Sequence, residues 1–458
     1  MGKAVLSEKY SAYPEYKDSD EEWLGKVPSH WDVIQIKHLS SVKRGASPRP
    51  IDDPKYFDEE GEYAWTRIAD VTASDVYLTK APQRLSDLGS SLSVKLEPES
   101  LFLSIAGTVG KPCITGMKAC IHDGFVYFPE LKISSKFLFY VFAGEQAYKG
   151  LGKFGTQLNL NTDTVGGIKI GCTDNEELEN IVNFLDHETA KIDTLIEKQQ
   201  QLIALLKEKR QAVISHAVTK GLNPDAPMKN SGVEWLGEVP EHWEVRAVSK
   251  LSQKITNGYV GPTRDILVSE GVPYVQATHI KKGKVNFDDA YFVRQPWSDA
   301  HAKSILVKGD VLIVQTGAGT GDIGLVTENE EGFNCHALII VQPIKDVISG
   351  DFLSMAFQSQ YGYSVLYSIR TGGMHPHLNC GEVQFVKVPV PPKEEQDQIT
   401  KHIRSQLNKF DSLVEKQIQA IELMQERRTA LISAAVTGKI DVRNWQAPEQ
   451  SEKTPEAS

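Results

Sequence analysis

The stretch from Glu176 to Thr219 reads EELENIVNFLDHETAKIDTLIEKQQQLIALLKEKRQAVISHAVT and contains neither proline nor glycine. An uninterrupted run of this length predicts a single long helix. Residues at alternating steps of three and four form the stripe that is typical of a coiled-coil seam. We place at this seam Ile192, Leu195, Gln199, Leu202, Leu206, Lys209 and Val213. A lone helix would have nothing to bury the stripe against, so the sequence predicts a partner helix.

The chain itself supplies that partner. Residues Glu394 to Thr437 read EEQDQITKHIRSQLNKFDSLVEKQIQAIELMQERRTALISAAVT, and a shift of 218 positions aligns the two stretches without a gap. The predicted seam of the second copy includes Leu413, Gln417, Met424 and Leu431. Because a polar seam pair can fix the register of a coiled coil, we expect Gln199 and Gln417 to do so here. Flanking residues recur as well, and we expect them on the outer face: Glu197, Lys198, Glu208 and Arg210 match Glu415, Lys416, Glu426 and Arg428.

A second repeat precedes each of these regions. Lys17 to Val33, KDSDEEWLGKVPSHWDV, returns as Lys229 to Val245, KNSGVEWLGEVPEHWEV, with both tryptophans of each copy in place. Turn formers and tryptophan together favour a packing segment over a flexible linker. The order of peptide, intervening region and helix therefore occurs twice, which predicts a duplicated chain with a pseudo-twofold axis.

The repeats divide the chain into seven segments. We predict a repeated packing segment at 1–33, a globular domain at 34–170, a long helix at 171–221, a repeated linking segment at 222–245, a second globular domain at 246–388, a second long helix at 389–440 and a disordered tail at 441–458. The predicted fold class is α+β, with two mixed α/β domains joined by the two long helices.

Composition limits the classes of function. The chain has 458 residues and a formal net charge of −10, which argues against a general nucleic-acid binder. Much of the acid lies near the two ends, so the regions between the repeats are closer to neutral. No apolar run reaches the length of a membrane span, and the N-terminus lacks the apolar region of a signal peptide. Five scattered cysteines do not suggest a disulfide framework. We expect a cytoplasmic protein.

The two intervening regions correspond in their elements but not in their loops. GEYAWTRIADV, which begins at Gly61, is matched by GVPYVQATHI, which begins at Gly271. The apolar stretch Ser100 to Ile114 breaks at Gly107 and Gly110, and Gly309 to Gly324 takes its place in the second region. Since binding residues are often carried by loops on a shared scaffold, two domains with different loops predict recognition of two different features.

These motifs together resemble one family. The doubled WLGxVPxHW peptide, the two EKQ helices that end in AVT, and VPVPPKEEQDQI at Val388 to Ile399 resemble the specificity subunits of type I DNA restriction-modification enzymes. One departure is IGCTDNEELENI at Ile170 to Ile181, which lacks the prolines of the second copy.

The resemblance has several implications. It implies an antiparallel coiled coil, two target-recognition domains that read the halves of a split double-stranded DNA site, and docking of two methyltransferase subunits on the helices, joined by restriction subunits. It also implies no catalytic residue, metal or cofactor on this chain, with S-adenosylmethionine, ATP and Mg²⁺ on the partner subunits.

DNA contact requires donors for phosphates and side chains that reach base edges. In the first domain the candidates are Lys43, Arg44, Arg49, Arg67, Lys153 and Gln157. In the second domain they are Asn257, Tyr259, Arg264, Gln276, Thr278, Lys281, Lys282, Arg370, His375 and His377.

Three motifs leave alternatives open. Asp123, Glu130 and Lys132 could form the triad of a nuclease, which would make the chain a stand-alone nuclease or methyltransferase. Gly319, Gly321 and Gly324 spell GxGxxG, but no helix opening follows, so a turn is the preferred interpretation. A zinc site would have to be built from Cys335, His336, His375, His377 and Cys380. Their spacing matches no standard zinc finger, and satisfied loop residues are favoured.

Overall fold

A computed structural model describes residues 10–148, 151, 153–154, 157–158, 160–287, 291–372 and 376–447, with only the backbone at 153–154 and 157–158. The chain forms two compact units: unit 1 is Met1–Gln199 with Ile418–Ser458, and unit 2 is Gln200–Gln417. Both boundaries fall inside the long helices Asn175–Lys220 and Lys393–Val436. Each unit therefore contains a segment of both helices, whereas the seven predicted segments end at the helix termini.

Unit 1 contains two main sheets. The first has the strand order Lys43–Arg44, Phe125–Tyr127, Leu101–Ser104, Pro112–Thr115, Tyr77–Leu78, and only its last pair is parallel. The second has the order Arg84–Leu85, Tyr63–Thr66, Ala119–Ile121, Val94–Leu96, and its central pair is parallel. The predicted Gly-broken stretch is thus a hairpin, with Gly107 and Gly110 at positive φ in its turn.

Unit 2 repeats this plan. Its larger sheet has the order Ser252–Asn257, Leu338–Pro343, Val311–Val314, Ile323–Leu325, Gly283–Val285, Ile280–Lys281, and the fourth and fifth strands are parallel. Its second sheet has the order Leu267–Val268, Phe292–Val293, Val272–Val275, Asn334–Cys335, and its last pair is parallel.

Short elements complete each unit. Those of unit 1 are the paired strands Tyr16–Asp18 with Lys26–Pro28, Asp32–Gln35 with Lys169–Cys172 and Lys153–Phe154 with Gln157–Leu158, and the helices Ile36–Leu39, Pro54–Tyr56, Ile68–Ala73, Asp87–Ser91, Ser135–Ala143, Gln146–Tyr148 and Thr162–Gly167. Those of unit 2 are the paired strands Met228–Asn230 with Glu238–Pro240 and Glu244–Ala247 with Lys387–Val390, and the helices Val248–Lys250, Ala277–His279, Gln295–Ala300, Ala302–Ser304, Gly350–Gln358, Gln360–Ser368 and Cys380–Val383.

The core of each unit forms where an apolar helix packs on the larger sheet. All four residues of Leu101–Ser104 and of Val311–Val314 are buried. Ser135–Ala143 carries Phe137 and Phe142, both fully buried, into the core of unit 1. These aromatic side chains are large, and burying one contributes roughly 1.5–3 kcal/mol. In the described part of the chain, no helix is both long and apolar enough to cross a membrane.

The repeated peptide forms a clamp in unit 1. Trp31 is fully buried, and its indole Nε1 donates to Glu177 Oε1 at 3.1 Å. Burial acts to raise the pKa of Glu177, but hydrogen bonds from Tyr13, His30, Thr173 and Trp31 outweigh it and lower that pKa. Glu177 lies in the first turn of one long helix, so the clamp fixes where that helix starts.

The same clamp holds the end of the other long helix. Gly438, at φ +65, follows the second helix, and a Cβ there would lie 2.3 Å from Pro28 Cδ and 3.3 Å from Trp31 Cη2. Only glycine combines the positive φ with this close approach. Trp31 therefore touches the start of one helix and the end of the other, which holds the helices antiparallel in this unit.

Unit 2 contains an equivalent clamp. Trp243 is fully buried and donates to Glu395 Oε2 at 3.1 Å, and His242 Nε2 lies 2.8 Å from the same oxygen. Gly221, which follows the first helix at φ +78, would place a Cβ 3.3 Å from Trp243. The first helix lacks the prolines of the second, but Asp174 compensates, because its Oδ1 accepts from Glu177 N at 2.9 Å as an N-cap.

The long helices are confirmed, but part of the predicted seam is wrong. Leu195, Leu202 and Leu413 are 48%, 40% and 42% exposed. The least exposed positions of the first helix along the seam are Ile192, Ile196, Gln199, Ile203, Leu206, Arg210, Val213 and Ala217. The same shift of 218 gives the seam of the second helix: Phe410, Val414, Gln417, Ile421, Met424, Arg428, Leu431 and Ala435. The seam residues still alternate at spacings of three and four. From Ile192, however, the first spacing is four, to Ile196, and not three, to Leu195.

Two ion pairs lie along this seam. Arg428 Nε donates to Asp193 Oδ1 at 2.8 Å and its Nη2 donates to Oδ2 at 3.2 Å in unit 1. In unit 2, Arg210 Nε lies 3.7 Å from Asp411 Oδ1. The prediction that both arginines belong to the outer face is therefore wrong: their side chains are only 22% and 23% exposed. Gln199 does lie at the seam, but its Oε1 has no hydrogen-bond partner among the described residues.

Candidate nucleic-acid interface

Each unit presents loops at the end of a pair of parallel strands. In unit 1, Tyr63–Thr66 pairs with Ala119–Ile121, and the chain continues into Arg67 and His122. In unit 2, Val272–Val275 pairs with Asn334–Cys335, and the chain continues into Gln276 and His336. Parallel strands end at the same edge, so each pair of following residues lies side by side.

A third loop reaches the same edge in both units. Gly45 N donates to Phe125 O, and Ala46 N donates to Ile121 O at 3.1 Å. In unit 2 the equivalent amides, Gly258 N and Tyr259 N, donate to Leu338 O and Cys335 O. These bonds make Arg44 equivalent to Asn257. A Cβ on Gly45 would lie 2.1 Å from His122 O, so the loop comes this close only with glycine.

An open cleft of about 1250 Å³ lies at this edge of unit 1. Two of the predicted residues, Arg49 and Arg67, line it. The other lining residues are Ser47, Pro48, Pro50, Ile51, Asp52, Pro54, Phe57, Trp65, Gln83, His122 and Asp123. The cleft therefore combines cations, amide and imidazole groups, and aromatic walls, which is a suitable mixture for phosphates and bases.

Asp123 organises the basic loop. Arg49 Nη2 donates to Asp123 Oδ2 at 3.1 Å, and Arg44 Nε donates to the Asp123 carbonyl oxygen at 2.5 Å. Ser47 Oγ reaches the other carboxylate oxygen at 3.4 Å. Arg49 is nevertheless 80% exposed, and an ion pair this exposed contributes little to stability. Its guanidinium can therefore exchange this carboxylate for a phosphate at small cost.

The remaining predicted residues of the first domain are placed as follows. Arg67 is exposed and occupies the N-cap position of the helix Ile68–Ala73, where its backbone N donates to Asp70 Oδ2 at 2.9 Å. Its side chain donates through Nη2 to Gln83 Oε1. Lys43 is exposed in the edge strand Lys43–Arg44. Lys153 and Gln157 lie in the short hairpin, and their side chains are outside the described residues.

In unit 2 the predicted Tyr259 belongs to an aromatic cluster. Its ring lies 5.0 Å from Trp297 and 5.2 Å from His301, between centroids. Trp297 also contacts Tyr274 at 5.7 Å. Asn257 is half-buried and accepts from Cys380 Sγ at 3.0 Å. Both residues are held by their neighbours, so neither is a free surface side chain.

The other candidates of unit 2 differ in exposure. Gln276 is half-buried and occupies the N-cap position of the short helix Ala277–His279, as Arg67 does for its helix in unit 1. Its backbone N donates to His279 Nδ1 at 3.0 Å. Exposed positions are Arg264, Thr278, Lys281 and Lys282.

Arg370 and His377 contact the loop that follows Val311–Val314 in unit 2. Arg370 is half-buried, donates to Thr320 O and stacks over Tyr367 at 4.8 Å. His377 pairs through its backbone with Thr371. His375 lies outside the described residues.

The three residues of the predicted nuclease triad form hydrogen bonds with different parts of unit 1. Asp123 bonds the arginines of the basic loop, whereas Lys132 Nζ donates to His38 O at 3.2 Å and Glu130 N donates to Ser40 Oγ at 3.4 Å. These bonds place the last two residues at another part of unit 1.

Two motifs remain, the set of cysteines and histidines and the GxGxxG stretch. Among the described residues, no group of three or more His, Cys, Asp or Glu side chains is placed to hold a metal ion. Cys335 is fully buried, and burial raises the pKa of its thiol. The GxGxxG stretch connects Val311–Val314 to its antiparallel neighbour Ile323–Leu325, with Gly321 at φ +92, so the turn interpretation fits.

Several residues of the candidate interface were not predicted. Trp65, Gln83 and His122 line the cleft, and Trp297 and His301 form the aromatic cluster of unit 2. They are far apart in the sequence from the loops they join. The signal that could have found His122 is its position directly after a buried apolar strand.

Known proteins are similar to this chain in sequence. Residues 240–423 match the family model described as "Type I restriction modification DNA specificity domain". The chain is 21% identical over 440 residues to the type I restriction enzyme MjaVIII specificity subunit of Methanocaldococcus jannaschii, which covers 92% of this chain and 95% of that one. It is 25% identical over 279 residues to the EcoBI specificity subunit of Escherichia coli, which covers 59% of this chain and 58% of that one.

Solved structures share the fold. The HsdS subunit from Thermoanaerobacter tengcongensis gives a TM-score of 0.51 at 14% identity, covering 90% of this chain and 98% of that one. A chain of the structure reported as "Structural basis underlying complex assembly and conformational transition of the type I R-M system" gives 0.67 at 14% identity, covering 90% and 99%. With the duplicated helices and clamps, these likenesses confirm the predicted resemblance: the chain is similar, over most of its length, to the specificity subunits of type I restriction-modification enzymes.

Proposed function

We propose that this chain is the DNA sequence-recognition subunit of a type I restriction-modification complex, and that its two units read the two halves of a split, asymmetric DNA target. One observation carries the proposal: the same three-loop frame occurs in both units with different side chains. Arg44 and Arg67 in unit 1 stand where Asn257 and Gln276 stand in unit 2.

The chemistry of these exchanges suits two different half-sites. Arginine pairs best with guanine O6 and N7 in the major groove, whereas asparagine and glutamine pair best with adenine N6 and N7. A side-chain exchange on an unchanged frame therefore alters the preferred base while the docking geometry stays the same. The exposed cations Lys43 and Arg49 would supply phosphate contacts, which position the duplex without reading its sequence.

The exposed leucines of the long helices support a docking role. Leu195 and Leu423 in unit 1 are 48% and 64% exposed, and their equivalents Leu413 and Leu205 in unit 2 are 42% and 58% exposed. Each leucine recurs at the shift of 218 that relates the helices. Exposed apolar residues repeated on both copies suit a protein partner that binds twice. We infer one methyltransferase subunit per unit, with restriction subunits joining through them.

Catalysis then belongs to the partners. The carboxylate of Asp123 is paired with arginine, and S-adenosylmethionine, ATP and Mg²⁺ would be bound by the partner subunits. The purified chain should therefore transfer no methyl group and cut no DNA until a methyltransferase subunit is added. At saturating methyltransferase the complex should contain two such subunits by native mass measurement. A complex that saturates with one would contradict the two docking sites.

Exchange of one domain tests the recognition role. Replacing residues 34–165 with the matching region of another specificity subunit should change one half of the methylated sequence and leave the other half unchanged. The matched control replaces residues 246–383 and should change only the second half. Methylation maps of cells that carry each chimera give the result, and a change of both halves by either exchange would refute independent reading.

A further inference from the structure

A histidine occupies the same position in both units. His122 directly follows the strand Ala119–Ile121, and His336 directly follows Asn334–Cys335. In each unit, this strand pairs in parallel with the strand that carries a large aromatic side chain, Trp65 or Tyr274. The ring centroids are 5.9 Å apart for Trp65 and His122, and 6.0 Å apart for Tyr274 and His336. The loops differ at most other positions, so this match stands out from them.

The ring of His122 is held in one orientation. Its Nδ1 accepts a hydrogen bond from Gly124 N at 2.9 Å, and its centroid lies 4.5 Å from that of Phe125. A Cβ on Gly124 would lie 2.5 Å from the ring, so glycine makes room for it. Since Nδ1 accepts, the proton of the neutral imidazole is on Nε2. Burial lowers the pKa of His122, although Asp123 acts against this, so the neutral form prevails at neutral pH.

The free edge of this ring lies in the cleft. The His122 side chain is 20% exposed and lines the cleft beside Arg67 and Gln83. Among the described residues, Nε2 has no hydrogen-bond partner. The result is a fixed, uncharged donor beside Arg67, one of the two residues that differ between the units on the shared frame.

His336 has the same arrangement. Its Nδ1 lies 3.1 Å from the Tyr274 hydroxyl, which donates to it when the imidazole proton is on Nε2. Burial lowers the pKa of His336 as well. The ring is half-buried, and its backbone N donates to Val275 O at 2.8 Å. A backbone amide in unit 1 and a tyrosine hydroxyl in unit 2 thus both direct the proton to Nε2. In unit 2 the Tyr259 backbone also hydrogen-bonds this ring and acts to raise its pKa, so a base would compete with that contact for the His336 Nε2–H group.

We propose that His122 and His336 are specificity-determining residues, each of which donates Nε2–H to an acceptor on a base edge in its own half-site. Purine N7, guanine O6 and thymine O4 are such acceptors in the major groove. A neutral, fixed donor attracts a phosphate less than the neighbouring arginines do, so a base is the better partner. This inference rests on the proposed recognition function and adds one base contact that the two units have in common.

The experiment uses the complex with methyltransferase subunits and maps methylated sites. His122→Phe keeps the aromatic packing on Trp65 and Phe125 but removes the donor. It should relax the preference at one base pair of one half-site, by about tenfold, the size of a typical base contact. The other half-site should be unchanged, which also shows that the chain is folded. His336→Phe is the matched control and should relax one position of the other half-site.

A conservative variant separates the donor from the packing. His122→Gln retains an N–H donor and should keep more of the preference than His122→Phe does. Unchanged sites in both phenylalanine variants would overturn the inference, as would a loss of affinity equal at all sequences. Loss of all methylation in both His122 variants would also count against it. If the wild-type complex itself showed no split recognition sequence, the proposed function would fail instead.

Discussion

A matched insertion in both long helices should lengthen the DNA spacer between the half-sites. Asp193 and Arg210 are 17 positions apart on the first helix, and their partners Arg428 and Asp411 are also 17 apart on the second. The equal intervals let both ion pairs form at once in antiparallel helices. Seven residues inserted after Leu202 alone would lengthen one interval only. The two ion pairs could then no longer form together.

The size of the effect follows from helix geometry. A heptad adds about 10 Å at ~1.5 Å per residue and keeps the seam residues facing the partner helix. B-DNA advances ~3.4 Å per base pair, so this displacement corresponds to roughly three base pairs. It also rotates the target by about 100°, given 10–10.5 base pairs per turn. Insertions after both Leu202 and Ala420 should therefore restore both ion pairs and widen the spacer by about three base pairs.

The assay is the methylation map of cells that carry each variant. The single insertion should give little or no methylation, and the double insertion should give the original half-sites with a longer spacer. The control is a variant without an insertion, in which one exposed helix residue is replaced by alanine. Its methylation map should be the same as that of the wild type. An active double-insertion enzyme with the original spacer would refute the idea that the helices set the distance.

Three further outcomes are expected. Arg49→Gln should weaken DNA binding about equally at all sequences and reduce the slope of log affinity against log salt by about one, as measured by titration at several salt concentrations. Glu177→Gln should lower the free energy of unfolding, measured with denaturant, by about 2–3 kcal/mol because the charge-assisted hydrogen bonds are lost. Glu395→Gln should lower it less because Glu395 accepts fewer hydrogen bonds. Since the folded pKa of Glu177 is lowered, its contribution is present above the unfolded pKa of about 4.3 and is lost as pH falls through the folded pKa, a dependence that the glutamine variant should lack. Arg428→Asp should lower the free energy of unfolding by about 1–2 kcal/mol, and adding Asp193→Arg should recover part of that loss. Strictly additive losses of unfolding free energy would show that the two residues are not coupled.

The long helices and the duplication were predictable because they are periodic. The repeat at a fixed shift needs no structure to detect it, and each helix begins and ends within one residue of the repeated stretches 176–219 and 394–437. The predicted helical segments 171–221 and 389–440 extend up to four residues beyond the helices. The phase of the seam was not predictable in the same way. Between Ile192 and Gln199, both Leu195 and Ile196 complete steps of three and four, so spacing alone cannot distinguish them. In the structure Ile196 lies at the seam, and Leu195 is exposed.

The interface was harder to predict than the scaffold. Arg49 and Arg67 could be selected because a cation in a loop is a donor wherever the loop goes. Gln83 and His122 could not, because they enter the cleft only after distant strands have paired. Contacts such as those of Arg370, which is half-buried against Thr320 and Tyr367, could not be predicted from its charge, and its role in DNA contact stays a prediction.

The contacts explain why one part of the duplication stayed similar and another diverged. Trp31 touches Glu177 and Gly438, so a change at any one of the three leaves a buried polar group or a clash unless the others change as well. The residues at the ends of the parallel strands have few such partners within the chain. Arg67 can become glutamine at the equivalent position without disturbing the cap or the strands behind it. Selection for a new DNA target can therefore act on the loops of one unit alone, while the helices and clamps of both units remain fixed.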